Sequence, residues 1–140
     1  MCSMILQYAR RLHLPVREEE HAYVILLAKE PYQFEVTVLK DDKVLEWFVS
    51  ASDTQTGMDV WHDYGEHWVS GAESRQTAAR ELEETVVWFL DLLHSHEVRV
   101  VKQPLFHLFG RPFGASLVLE IRRANGWCDI FAPKSSFPAQ

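Results

Sequence analysis

Phe34, Val36 and Val38 alternate with Glu35 and Thr37 along residues 33–40. A period of two is the mark of a half-buried β-strand, because successive side chains point to opposite faces. Residues 21–29 are rich in Tyr, Val, Ile and Leu and read as a strand before it, with Pro31 as the breaker. After the Asp41-Asp42 turn, residues 43–51 form the hairpin partner. Leu45, Trp47 and Val49 lie on one face, and Val44, Glu46 and Phe48 on the other. Bulky apolar groups on both sides suggest a sheet covered in part on both faces. Residues 52–57 are a polar turn, and 58–61 a short fourth strand.

The period then changes. Ala79, Leu82, Val86, Phe89 and Leu93 recur every three or four residues, one stripe of a long helix placed over 72–95. Ser70 and Glu73 have the spacing of a capping box at its start. From Val86 to Leu93 almost every residue is apolar, so this half is expected to be wrapped on more than one side. Arg75, Arg80, Glu81, Glu83 and Glu84 mark a solvated first half. A second helix is expected over residues 4–13, capped by Ser3, ended by Pro15, with Met4, Ile5, Tyr8, Ala9 and Leu12 on its apolar face. Residues 17–20 read as a charged linker.

Beyond the long helix, residues 97–102 and 115–123 read as strands. Asn125-Gly126 is a strong two-residue hairpin turn, and residues 127–132 return. The order predicts an α+β fold: a mostly antiparallel sheet of five to seven strands, with an N-terminal helix and one long central helix packed on it. With 140 residues, one domain over 1–133 and a tail over 134–140 are expected.

Composition narrows the classes. Twenty acidic against 14 basic residues give a net charge of −6. The bases are scattered, so a phosphate-neutralising surface and hence nucleic acid are disfavoured, and a basic peptide or protein is electrostatically the easier partner. No apolar run nears the ~18 residues of a membrane span, so no membrane association is expected. Residues 1–17 hold three arginines and no acid, loosely like a transit peptide, but the first helix of the domain is the simpler reading. Cys2 and Cys128 have no zinc or redox spacing, which fits a reduced, cytoplasmic protein.

The densest chemistry lies in Trp61, His62, Asp63, Tyr64, Glu66, His67 and Trp68. As a helix, the segment pairs His62 with Glu66 or Asp63 with His67. As a strand, it places His62 and Glu66 on one face and Asp63 and His67 on the other. Only two ligands converge either way, whereas a zinc site takes three or four. No metal or other cofactor is implied. Trp61, Tyr64 and Trp68 also match one stripe of a short helix packed on the sheet, while Tyr and Trp suit an interface. The apolar loop 105–113 is the second candidate, with Leu105, Phe106, Leu108, Phe109 and Phe113 among Gly110, Pro112 and the following Gly114. It is expected to fold back as a plug; left exposed, it would be a partner-binding patch. Gly110 and Gly114 lack the Gly-Lys-Ser/Thr ending of a phosphate loop, and no nucleophile elbow is present.

The helix beginning Ile5-Leu6-Gln7-Tyr8-Ala9-Arg10-Arg11-Leu12, with the strands and helix after it, is similar in layout to the secretion chaperones over about half the chain. Their closing helix has no counterpart here. Small acidic immunity proteins match the composition equally well. The expectation is a non-enzymatic protein-binding domain: an adaptor, a dedicated chaperone or an inhibitor of another protein. A homodimer is compatible with it. The alternative is a small enzyme or ligand-binding domain centred on residues 61–68, with Asp63 or Glu66 as base and His62 or His67 as acid or metal ligand.

Overall fold

The computed structural model describes residues 3–40, 44–68 and 72–131; for 3, 44, 45, 64–68 and 72–74 it describes the backbone alone. Two helices and a mostly antiparallel five-stranded sheet, with smaller sheets beside it in the chain, make the fold α+β. The chain divides into two compact units, residues 1–91 and 92–140. The expected Asp41-Asp42 turn, the Ser70 cap and the tail over 134–140 lie outside the described residues.

In the first unit, helix α1 (Ser3–Arg11) precedes strands β1 (Val16–Glu18), β2 (Ala22–Lys29), β3 (Tyr32–Leu39), β4 (Val44–Asp53) and β5 (Asp59–Trp68). The strands pair antiparallel in chain order. Hairpins need only short turns, so sequential pairing is the direct solution. Helix α1 stops two residues earlier than expected, and its end is chemically defined. The Leu14 amide donates to the Ala9 carbonyl and the His13 amide to that of Arg10. His13 takes φ +57°. These are the two bonds of a Schellman motif, with His13 at the position that glycine usually fills. Arg17 and Glu18, read as part of a linker, instead form the edge strand β1 with Val16, paired with Tyr23–Ile25. Their own polarity gave no period-two signal, and the exposed edge of β2 supplies the ladder.

Strand β3 matches its alternation: Phe34, Val36 and Val38 are fully buried. Register places them beside Leu27, Ile25, Trp47, Val49 and Ala51 on one face. Trp47 and Trp61 both meet Phe89 of helix α2 (Ala72–Ser95). Leu82, Val86, Phe89, Leu90 and Leu93 are all fully buried, and Ala78 rather than Ala79 begins the stripe. Phe89 and Leu90 lie about 100° apart, within that one face, whereas Val87 and Trp88 on other sides are half-buried and Asp91 is exposed. Tyr8 joins α1 to α2 by donating a 2.9 Å hydrogen bond to Asp91. Burial, and then this carboxylate, push the phenol pKa well above its usual range.

The second unit begins with the last turn of α2. Strands β6 (Val98–Gln103), β9 (Ser116–Arg123) and β10 (Gly126–Asp129) form a sheet in the order β10-β9-β6. Of the residues in this unit, Leu119, Ile121 and Ile130 are fully buried. The β9–β10 turn is one residue earlier than expected. Arg123 pairs with Gly126, so Ala124 and Asn125 make the loop, and Gly126 opens β10 at φ +117°. A third sheet has two short strands, β7 (Phe106–Leu108) and β8 (Arg111–Phe113). No described helix is long and apolar enough to cross a membrane.

Candidate binding surface

Residues 61–68 form neither a helical aromatic stripe nor a compact turn; they are the outer part of strand β5. The helical spacing of Trp61, Tyr64 and Trp68 is overruled by pairing with β4, which runs from Ala51↔Trp61 to Val44↔Trp68. A bulge at Val60, between the Ser52↔Asp59 and Ala51↔Trp61 pairs, resets the register. The strand starts from a tight turn: Asp53 Oδ1 accepts the Gln55 and Thr56 amides, and Gly57 carries φ +71°.

The candidate residues therefore separate. Trp61 is buried, stacked on Phe89 with centroids 6.4 Å apart and planes 14° apart. His62 and Asp63 are exposed and, as neighbours on a strand, belong to opposite sides of the pleat. Their register partners are Ser50 and Val49. The backbones of Tyr64, Glu66, His67 and Trp68 continue the ladder opposite Phe48, Glu46, Leu45 and Val44. Among the described residues, no three His, Cys, Asp or Glu side chains cluster as metal ligands do.

The second candidate has a sharper geometry, and it overturns the expected plug. Residues 105–113 are a β-hairpin standing in solvent. Phe109 is 95% exposed, Phe106 56%, Leu108 50% and Phe113 42%. Phe106 pairs with Phe113, His107 with Pro112 and Leu108 with Arg111. The Phe106 and Phe113 rings stack at 5.7 Å with planes 10° apart. Period two puts Phe106, Leu108, Arg111 and Phe113 on one face, with His107 and Pro112 on the other. Phe109 and Gly110 form the two-residue turn at φ +52° and +75°. Positive φ at both positions belongs to the type I′ turn, which matches strand twist but normally takes Asn-Gly. The left-handed region costs a bulky residue about 1–2 kcal/mol, so here an aromatic sits at the tip against local preference. Gly114, at φ +69°, closes the base of the hairpin. A Cβ there would lie 2.8 Å from Leu105 Cδ1.

The sheet of the second unit carries a polar cluster. Glu120 is buried and accepts from Arg99 at 2.8 Å, while the Arg99 guanidinium lies 4.3 Å from the centre of the Trp127 ring. Lys102, paired with half-exposed Leu117, and Arg111 have no ion-pair partner among the described residues.

Lys102 and Arg111 do not stand out as site residues in the sequence, although a signal exists. The net charge of −6 hides two unlike halves. Residues 1–91 hold 17 acidic and 8 basic side chains, whereas residues 92–140 hold 3 acidic and 6 basic. The first unit has a cleft of about 310 Å³ lined by Leu6, Arg10, Leu14, Val16, Glu18 and Tyr23. It is shallow and brings together no reactive set.

No family model, curated protein or solved structure matches this chain.

Proposed function

We propose that this chain is a non-enzymatic protein-binding domain, of the adaptor, chaperone or inhibitor kind, and that the β7–β8 hairpin is its binding surface. The observation that carries this reading is the exposure of Phe106, Leu108, Phe109 and Phe113 on one small hairpin. Isolated surface apolar residues need no explanation, but a contiguous aromatic patch does. A two-stranded hairpin is marginal in water by itself. Keeping Phe109 in a left-handed turn adds to its cost, and strain of this kind collects at binding sites. Aromatic anchors of this sort dominate interface energetics.

The test is site-specific photo-crosslinking in cells, with the crosslinking residue at position 109 or at position 62. The expected result is a discrete adduct from 109 that is lost on Phe106→Ser and reforms with the purified partner, and none from 62. An adduct from 62 alone would instead support the ligand-binding or enzymatic reading of β5. That reading has the weaker support, since His62 and Asp63 do not converge.

A further inference from the structure

We infer that the partner of the β7–β8 hairpin is an acidic protein segment: apolar side chains that seat Phe109 and the Phe106–Phe113 face, bordered by carboxylates that meet Lys102 and Arg111. The inference rests on the protein-binding reading above and adds the chemistry of the partner.

The argument is one of charge. Arg111 shares the apolar face of the hairpin with Phe106, Leu108 and Phe113. Lys102 lies on the adjoining strand β6, opposite Leu117, which is 49% exposed. Neither cation is paired among the described residues, whereas Arg99 is held by Glu120 and Arg122 by Glu97. Arg111 thus sets a positive charge, unpaired among the described residues, on the hairpin's apolar face, and Lys102 precedes the hairpin by four residues in the chain. A basic partner, favoured by the net charge of the whole chain, would meet like charges here, and like-charge juxtaposition suppresses binding.

Two other occupants fit less well. A second copy related by a two-fold axis would bring the same patch onto itself, and so gather the Lys102 and Arg111 charges of both copies into one interface. An anionic bilayer would take the tip Phe109 but leave the lateral Phe106–Phe113 face uncovered.

The experiment titrates the full chain with three labelled synthetic peptides. They share one pattern of leucines and differ only in flanking Glu, Gln or Lys. Fluorescence anisotropy is expected to rank Glu above Gln above Lys, with about a tenfold gap between the extremes at low salt. The gap should shrink as salt screens it. Lys102→Glu with Arg111→Glu should reverse the order, and Phe109→Asn should weaken all three. Equal binding of the three peptides overturns the acidic partner but leaves the protein-binding reading standing. If none binds, while phosphatidylserine vesicles or a second copy do, both fall. Unchanged affinities in Phe109→Asn overturn both as well.

Discussion

The indole of Trp61 lies flat against the ring of Phe89, with centroids 6.4 Å apart and planes at 14°. This contact ties strand β5 to helix α2 and separates Trp61 from its exposed neighbour His62. Trp61→Ala should cost about 3–5 kcal/mol, the range for removing a buried aromatic side chain. His62→Ala should stay within about 0.5 kcal/mol. Urea unfolding of the two variants measures the contrast. Equal effects would contradict the assignment of Trp61 to the core.

Much of the fold was legible because its signals are local. The alternation of Phe34, Val36 and Val38, and the Leu82–Val86–Phe89–Leu93 stripe, each bury one face by themselves. Only the start of strand β5 was legible, as the short strand expected over 58–61; beyond it, Trp61, Tyr64 and Trp68 fit a helical period by coincidence. Its state is set by β4, a contact distant in sequence. Edge strand β1 failed for the same reason. The hairpin was hidden by its turn chemistry: Phe109-Gly110 has the glycine of a type I′ turn but not the Asn that usually precedes it. The same composition marked residues 105–114 as apolar without showing that they would remain in solvent.

The Phe109 and His13 backbones are both left-handed, at φ +52° and +57°. Asn tolerates that region and glycine has no penalty there. Phe109→Asn and His13→Gly should therefore each leave stability unchanged or raise it by up to about 1 kcal/mol. Phe109→Asn should do so while weakening peptide binding. Chemical unfolding checks the first effect and anisotropy the second. Destabilisation of either variant by more than about 1 kcal/mol would contradict the turn and cap geometry.

Tyr8 donates to Asp91 across the α1–α2 contact, and burial followed by this carboxylate hold its phenol pKa high. The unfolded phenol ionises near pH 10, the folded one at higher pH. The folded state thus retains a proton that the unfolded state loses, and stability falls as pH rises from about 10 through the folded value. Tyr8→Phe should cost about 1 kcal/mol at neutral pH and lose this part of the alkaline decline. Urea midpoints at pH 8 and above pH 10, for both proteins, give the comparison. An equal decline in both would place the titration elsewhere.

Arg99 bonds to Glu120 and also covers the Trp127 ring. A lysine keeps the charge but loses the planar donor fork and the stacking. Arg99→Lys should destabilise by about 1 kcal/mol. A loss near zero would mean that charge alone suffices. Trp127 fluorescence and thermal unfolding report it.

Exposure of Phe109 in the free chain underlies the proposed function, and it can be measured directly. Para-fluorophenylalanine placed at position 109 in the dilute protein gives one fluorine resonance, whose relaxation by a soluble paramagnetic probe reports contact with solvent. Relaxation close to that of the free amino acid is the predicted result. Protection like that of the same label at buried Phe89 would show the hairpin folded onto its own chain or onto another copy, and would contradict a surface that waits for a partner.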